Sequence, residues 1–227
     1  MILKAEGISK RFIRETDNSN IFYAVQKTDF ELSESALTVL EGRSGSGKTT
    51  LLNMLAGLLS PTEGSIMLDD TDIYSMDDKT LSLFRNKHFG IIPQGQTAVS
   101  TLTVLENVIL PATIYRNEMD LSSKAEEMLT RMGIGHLKNV FPKELSGGEL
   151  RRVSIARALI MEPEIIFADE PTSDLDDENT DMVFGILKEI AQSGKAVLAV
   201  THERDAGKYA DRMFRMKNGV LEEVALK

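Results

Sequence analysis

Cysteine is absent from all 227 residues of this chain. Its absence excludes a disulfide framework and thiol chemistry at a catalytic site. A chain without cysteine suits a reducing cytoplasm, although such a composition is also compatible with other compartments.

Long apolar runs and an excess of basic charge are also missing. No segment approaches 18 uninterrupted apolar residues, and residues 1–7 lack the apolar run and small-residue cleavage site of a secretion signal. We therefore expect a cytoplasmic chain that neither crosses nor enters a membrane. The formal net charge of −9 gives no support to a nucleic-acid partner, which normally requires a basic surface.

The order of the apolar segments predicts an α/β fold with one packed domain. Segments 37–40, 165–168 and 196–200 are typical of buried strands, and helical periodicity between the last two implies a parallel sheet with covering helices. The first helix is predicted by leucines at helical spacing over residues 51–59, ahead of Pro61.

Two hairpins and a helical middle portion complete the predicted order of elements. Residues 1–32 are β-rich around a polar, turn-forming interruption at 14–20, and Asn218-Gly219 is a strong hairpin signal near the end. From about Gln94 the pattern is helical, and Ser123 with Glu126 is expected to form a capping box.

The most informative pattern is a glycine-rich loop at residues 42–49, G-R-S-G-S-G-K-T. It fits the phosphate-binding pattern G-x-x-x-x-G-K-[ST] and lies between a predicted strand and a predicted helix, the context that this motif requires. Glycines allow the backbone to turn back and direct N–H groups at phosphate oxygens. Lys48 is expected to contact the β and γ phosphates, and the Thr49 hydroxyl to bind Mg²⁺ at the start of a helix.

An acidic pair, Asp169-Glu170, follows the predicted strand at 165–168. On its own such a pair is more often a solvated loop or the start of a helix. Beside a phosphate-binding loop, one carboxylate can hold Mg²⁺ and the other can polarise the attacking water. We therefore assign Asp169 to the metal and Glu170 to the water.

The segment Leu145-Ser146-Gly147-Gly148-Glu149 precedes a helix with apolar residues at 150, 153, 156 and 160. Ser146 can be a simple N-cap. Alternatively, the serine and the bare backbone after it form a second anion-binding site at a helix N-terminus. Glu149 adds a negative charge there, which Arg151 or Arg152 could offset.

Five motifs in order make the chain resemble an ABC transporter ATPase subunit. They are Walker A at 42–49, L-S-G-G-E at 145–149, Walker B at 165–170, S-D-L-D at 173–176 and T-H at 201–202. The stretches L-L-N at 51–53, L-T-V-L-E-N-V at 102–108 and D-E-P-T at 169–172 are similar to the branch that contains MacB, LolD and FtsE.

The resemblance implies a P-loop NTPase (RecA-like) core with a mainly parallel sheet, an N-terminal antiparallel β-subdomain and a helical subdomain. We expect a single ABC ATPase domain over residues 1–227. Its core and β-subdomain are expected at 1–94 and 162–227, and its helical subdomain at 95–161.

The resemblance also implies two ATP molecules in a head-to-tail dimer, expected to be a homodimer, each held between one subunit's Walker A and the other's signature segment. Lys48, Glu170 and His202 are then the catalytic residues, and Thr49, Gln94 and Asp169 the Mg²⁺ site. Phe12 matches the aromatic that stacks on adenine, with Tyr23 or a core role for Phe12 as alternatives. The expected nucleotide-binding residues are Phe12, Gly42, Arg43, Ser44, Gly45, Ser46, Gly47, Lys48, Thr49, Thr50, Gln94, Ser146, Gly147, Gly148 and Asp176.

The function implied is ATP hydrolysis that drives dimer closure and acts on a separate membrane permease, in an exporter or extrusion system of the MacB/LolD type. The chain would contact the membrane only through that permease, at the inner face. One alternative is an FtsE-like envelope or cell-division signalling ATPase that moves no cargo. A DNA-repair or chromosome ATPase is disfavoured by the acidic charge and by the short segment from Gln94 to Ser146, which cannot contain a long coiled coil.

Overall fold

The structure is a computed structural model that describes residues 3–13, 21–95, 97–114 and 120–226, and within these ranges it has ten strands and six α-helices. The strands are β1 (Leu3–Ile13), β2 (Ile21–Leu32), β3 (Ala36–Glu41), β4 (Glu63–Leu68), β5 (Thr71–Asp72), β6 (Phe89–Ile92), β7 (Ile165–Asp169), β8 (Ala196–Thr201), β9 (Arg212–Lys217) and β10 (Val220–Val224). The helices are α1 (Lys48–Leu55), α2 (Asp78–His88), α3 (Val104–Ile114), α4 (Ser122–Arg131), α5 (Gly147–Leu159) and α6 (Asp177–Gln192). Short 3₁₀ turns lie at Ile73–Ser75, Gly135–Leu137, Pro142–Glu144 and Arg204–Tyr209.

The described strands form two sheets. One has the order β2-β1-β4-β5 and is antiparallel, and the other has the order β10-β9-β3-β8-β7-β6. In the larger sheet β6, β7, β8, β3 and β9 run parallel, whereas β10 pairs antiparallel with β9. The predicted parallel sheet with an antiparallel end is therefore confirmed.

Both predicted hairpins are present. β1 and β2 pair antiparallel, with Phe12 opposite Phe22, whereas the predicted turn at 14–20 lies outside the described residues. Asn218 and Gly219, which join β9 to β10, have φ values of 50° and 78°. Positive φ at both central residues is the conformation of the tight hairpin turn that Asn-Gly favours.

The larger sheet is buried on both faces, which explains why its central strands are apolar throughout. Leu198 and Val200 of β8 pack with α1 and the antiparallel sheet, whereas Val197 and Ala199 pack with α6. A third cluster joins α3, α4 and α5. The subdomain boundaries at 94/95 and 161/162 stay a prediction. None of the helices in the described ranges has the length and apolarity needed to span a membrane.

Two local predictions were wrong. α1 ends at Leu55 rather than near Leu59, because Gly57 adopts φ 69° and turns the chain out of the helix, which leaves Leu58 exposed. The capping box at Ser123 and Glu126 does not form. The helix begins two residues earlier than this box requires, at Ser122 with Leu121 as its N-cap, and the Ser122 N–H donates to the Asp120 carboxylate over 2.9 Å.

Candidate nucleotide-binding site

The glycine-rich loop turns from β3 into α1 at Gly47, which has φ 108°. A Cβ at this position would lie 2.0 Å from the Ala24 carbonyl oxygen of β2, so only glycine fits. α1 starts at Lys48 without a side-chain cap. Its first N–H groups are therefore the kind of uncapped helix N-terminus that binds phosphate.

The turn between β9 and β10 contacts this loop through Gly219. The Gly219 N–H donates to the Ser46 carbonyl over 2.9 Å, and the Gly219 carbonyl accepts from the Gln26 N–H over 2.8 Å. The turn thus connects β2 to the loop through backbone hydrogen bonds. Asn218-Gly219 signalled a hairpin in the sequence, but nothing in the sequence indicated that the hairpin would contact the loop.

Lys48 is almost fully buried and its ammonium group has three oxygen neighbours. Nζ donates to the carbonyls of Gly42 (2.8 Å) and Arg43 (3.3 Å) and lies 3.4 Å from Glu170 Oε1. A buried ammonium requires this kind of compensation. Phosphate oxygens could replace the two carbonyls as acceptors.

Glu170 lies between Lys48 and His202. Its Oε2 accepts the His202 backbone N–H over 3.2 Å and lies 2.8 Å from the ring Nδ1 of the same residue. The Glu170 side chain is 9% exposed and that of His202 59% exposed, so the ring faces the solvent side of the carboxylate. Glu170 has φ 46°, an uncommon conformation for a residue with a side chain, and such conformations cluster at functional sites.

Thr49 and Asp169 form the second polar pair of the site. The Thr49 hydroxyl donates to Asp169 Oδ1 over 3.1 Å. Burial raises the pKa of the Asp169 carboxyl, the hydrogen bond from Thr49 opposes this effect, and the charge of Glu170 adds to it. A hydroxyl and a carboxylate are hard oxygen donors, so this pair fits Mg²⁺.

One cleft brings eight of the predicted site residues together, whereas Lys48, Thr49 and Asp169 are not among the residues that line it. Its lining includes Gly42 to Ser46, Gln94, Glu170 and His202. Ser146, Gly147 and Gly148 are described but do not line this cleft, and neither do the two candidate adenine-stacking residues. Phe12 and Tyr23 are 41% and 46% exposed, so burial does not decide between them.

This combination of loop, acidic strand end and fold agrees with comparisons with known proteins. A family model described as ABC transporter matches residues 25–173. The chain belongs to this family. The lipoprotein-releasing system ATP-binding protein LolD of Shewanella frigidimarina is 36% identical to it over 99% of this chain and 93% of the relative. LolD of Aquifex aeolicus is 39% identical over 96% and 95% of the two chains.

A solved structure, the dimeric post-hydrolysis ATP-binding cassette MJ0796 bound to ADP and Pi, superimposes with a TM-score of 0.85. It is 32% identical and covers 99% of both chains. The predicted fold class and the assignment as an ABC-type ATPase are therefore confirmed. The relatives named here are transporter proteins, and nothing in the comparisons supports a role in DNA repair.

The ABC signature segment forms the start of α5, and Ser146 is its N-cap. The Ser146 hydroxyl and N–H both donate to Glu149 Oε2 over 2.7 Å. The Glu149 N–H in turn donates to the Ser146 hydroxyl oxygen over 3.4 Å. This capping box lowers the pKa of Glu149, and the charge of Arg152 contributes to the shift. The N-cap interpretation of Ser146 is confirmed, and its role as a second anion site stays a prediction.

Asp176 is the N-cap of α6 and lies close to the signature of this ABC ATPase. Its carboxylate accepts the N–H and the side-chain amide of Asn179, both over 2.8 Å. A Cβ at Gly148 would meet the same amide at 2.3 Å, so the starts of α5 and α6 are in close contact. Sequence reasoning missed Asn179, which has no motif of its own.

A second missed contact joins the loops after β7 and β8. The Thr172 hydroxyl, almost completely buried, donates to Glu203 Oε1 over 2.7 Å. Thr172 follows Glu170 in the loop after β7, and Glu203 follows His202 in the loop after β8. The hydrogen bond therefore holds these two loops beside each other. Their positions next to known motifs were the only signal in the sequence.

Proposed function

We propose that this ABC ATPase supplies the energy for an export system of the LolD type, as a head-to-tail dimer that acts on a separate membrane permease. The observation that carries the proposal is the position of Glu170, which lies beside the phosphate-binding lysine and the loop histidine in the cleft that contains Gln94. The names of the LolD relatives support the type of system.

The loop and Lys48 bind the triphosphate of ATP in this proposal. Backbone N–H groups at the start of α1 point to the phosphates, and Lys48 exchanges its carbonyl acceptors for β- and γ-phosphate oxygens. Because Lys48 is already buried and oriented, little ordering remains to be done when ATP binds. Arg43, Ser44 and Gly45 are exposed at the mouth of the loop and complete the contact surface.

Thr49 and Asp169 would hold Mg²⁺, together with Gln94 from the loop after β6. When bound, the ion neutralises negative charge on the phosphates. The hydrogen bond between Thr49 and Asp169 keeps both oxygens on the same side of the loop. Ionised Asp169 is the form that accepts a cation, so metal binding overcomes the effect of burial on its pKa.

Glu170 orients the attacking water and accepts its proton as the bond to the γ-phosphorus forms. The bond between the γ-phosphorus and the bridging oxygen breaks in the same displacement, and the products are ADP and phosphate. His202, which contacts the carboxylate in the structure, would hold the γ-phosphate near this water.

The dimer completes each site with the partner's signature segment. Ser146, Gly147 and Gly148 are not among the residues that line the chain's own cleft, and in this proposal they act on the nucleotide of the partner. Phe12 is proposed to stack on adenine. The permease holds this ABC ATPase at the cytoplasmic face of the membrane, and ATP-driven closure of the dimer moves the permease.

Two substitutions test the mechanism. Glu170→Gln keeps the size of the side chain and removes the base, so hydrolysis should fall by about 10²- to 10⁴-fold while Mg²⁺-ATP still binds. The chain should then accumulate as an ATP-loaded dimer, which size-exclusion chromatography would detect. Lys48→Ala should weaken ATP binding by about 10-fold or more, because a charged contact to the phosphates is lost.

A matched control is Lys4→Ala, which removes an exposed lysine that pairs with Glu31 on the antiparallel sheet. It should bind and hydrolyse ATP like the unmodified chain. Equilibrium binding of a labelled ATP analogue and phosphate release are the measurements. Near-normal hydrolysis by Glu170→Gln would remove Glu170 from the mechanism and leave His202 as the next candidate base.

A further inference from the structure

Arg151 is a buried arginine of α5 that reaches out of its own helix. Its side chain is 6% exposed, and Nη1 donates to the carbonyl oxygen of Pro93 over 3.0 Å. Pro93 immediately precedes Gln94, the residue proposed to approach the metal and the γ-phosphate. The guanidinium therefore connects the signature helix to the loop that carries Gln94.

Arg157 makes a second connection from the same helix to the same loop. Its Nη1 donates to the Thr97 carbonyl over 2.9 Å and its Nη2 contacts the Thr97 hydroxyl at 2.5 Å. The two arginines thus hold the chain on both sides of Gln94. Apolar contact between the loop and α5 is incomplete here, because a small cavity of about 20 Å³ lies between Gly95 and Ala98 of the loop and Leu150 and Ser154 of α5. The hydrogen bonds from the two arginines therefore hold the loop where apolar contacts do not.

Burying a guanidinium costs free energy unless acceptors and counter-charges compensate it. Burial lowers the pKa of Arg151, and the negative charge of Asp174, in the S-D-L-D segment, opposes that shift. Most of the other buried positions of α5 are apolar, as at Leu150 and Val153, and Ser154 is the exception with a polar side chain. Burying an arginine here costs more free energy than burying an apolar side chain would. We therefore attribute its role to the hydrogen bond that it donates to the loop carbonyl.

We propose that Arg151, together with Arg157, is a positioning residue that ties the Gln94 loop to the signature helix, so that Gln94 and Ser146 move as one unit. This rests on the proposed function, in which Gln94 contacts the chain's own ATP and Ser146 contacts the partner's. A change at one nucleotide then displaces the donor that serves the other nucleotide. Coupling of this kind needs a rigid link between the two sites, and the two arginines provide it.

The first test measures the position of the loop without nucleotide. Because the chain has no cysteine, Ala98→Cys introduces a single thiol at the cavity between loop and helix. Adding Arg151→Met should raise the rate of thiol labelling by a small maleimide about 10-fold, as expected from the loss of one charged hydrogen bond. Arg131→Met, at the exposed end of α4, is the matched control and should leave the rate unchanged.

A second thiol separates local release from general loosening of the fold. Ala199→Cys lies in the buried strand β8, which β7 separates from β6 and the loop that follows it. Its labelling should stay slow with Arg151→Met. Unchanged labelling at Ala98→Cys, or equal acceleration at both thiols, would overturn the positioning role whatever the activity of the chain.

The second test separates binding from turnover. Arg151→Met should lower kcat about 10-fold and leave the monomer's Kd for ATP within about twofold, because the tether acts after ATP has bound. Arg151→Lys, which retains the charge and one donor, should recover part of the loss. A kcat equal to that of Arg131→Met would contradict the proposal. Failure of the proposed function looks different, since Lys48→Ala and Glu170→Gln would then also leave hydrolysis intact.

Discussion

At the scale of single residues, Glu170 links the lysine and the histidine of the site. Lys48, Glu170 and His202 form a continuous chain of contacts, with Glu170 shared between the two basic groups. Lys48 and Glu170 are therefore both buried and paired with each other, whereas the His202 ring is exposed. Binding replaces these partners with phosphate oxygens, which limits the electrostatic cost of assembling the site.

Asp169, the proposed Mg²⁺ ligand, is a buried carboxyl that lowers the stability of the fold when no cation is bound. Burial raises the pKa of its carboxyl, which means that the ionised form is disfavoured in the folded chain relative to the unfolded chain. A raised folded-state pKa costs stability at neutral pH, and that cost disappears as the pH falls through the folded-state pKa.

Asp169→Asn should therefore raise the melting temperature of the nucleotide-free chain at pH 7, and this gain should shrink towards pH 4. The same substitution should weaken Mg²⁺-dependent ATP binding, because the anionic oxygen is lost. Thermal melts at the two pH values and titration with Mg²⁺-ATP are the measurements. Asp70→Asn, in the exposed turn after β4, is the control. A variant less stable than the unmodified chain at pH 7 would contradict this explanation.

At the scale of elements, α5 depends on a close approach to β6. A Cβ at Gly90 of β6 would lie 2.5 Å from the Ala158 carbonyl oxygen of α5 and 2.6 Å from the Ile166 side chain. The strand and the helix can approach this closely only because glycine has no side chain. This contact also fixes the distance between the signature helix and the sheet that carries Glu170.

Gly90→Ala should lower the free energy of unfolding by about 1–3 kcal/mol, because the backbone must shift to admit the methyl group. Gly185→Ala in α6 is the matched control, since its added Cβ would meet nothing within 4 Å. It should stabilise the chain by about 0.5–1 kcal/mol through helix propensity. Urea unfolding measures both, and equal effects of the two substitutions would show that the close approach is not what matters at residue 90.

At the scale of the whole molecule, the proposed catalytic site draws on two separate segments of the chain. Residues 42–46 of the phosphate-binding loop, Gln94, Glu170 and His202 line one cleft, whereas the signature segment is not part of its lining and packs at Gly148 against Asn179. A dimeric cassette bound to ADP and Pi is among the structures similar to this chain. A head-to-tail dimer is the assembly that would bring the cleft of one chain to the signature segment of its partner.

Ser146→Arg tests this division. The monomer should bind ATP almost normally, and hydrolysis should be lost because arginine cannot fit where the partner's phosphates approach. Losing the N-cap should cost about 1 kcal/mol of stability, which Ser146→Ala controls for. In an equal mixture with Lys48→Ala, one intact half-site forms in each mixed dimer, so about a quarter of the activity should return if the sites act independently. Loss of ATP affinity as severe as in Lys48→Ala would show that Ser146 serves its own chain.

The sequence by itself determined the parts of this protein that depend on local chemistry. Local sequence patterns predicted four features: the glycine loop, the acidic pair after a buried strand, the Asn-Gly hairpin and the periodic apolar segments. Each of them could be predicted because its residues are close together in the sequence. These patterns did not fix the ends of helices: Gly57 at positive φ ends α1 early, and α4 begins at Ser122, whose N–H donates to the Asp120 carboxylate.

Only the tertiary structure decided which distant residues meet. Gly219 supports Ser46, Thr172 binds Glu203, and Arg151 reaches Pro93 across the boundary between α5 and the Gln94 loop. None of these pairs has a sequence pattern, because any polar residue with the right reach can make such a bond. Their partners are fixed by the order of strands in the larger sheet and by the packing of α5, both of which emerge only when the whole chain closes around its core.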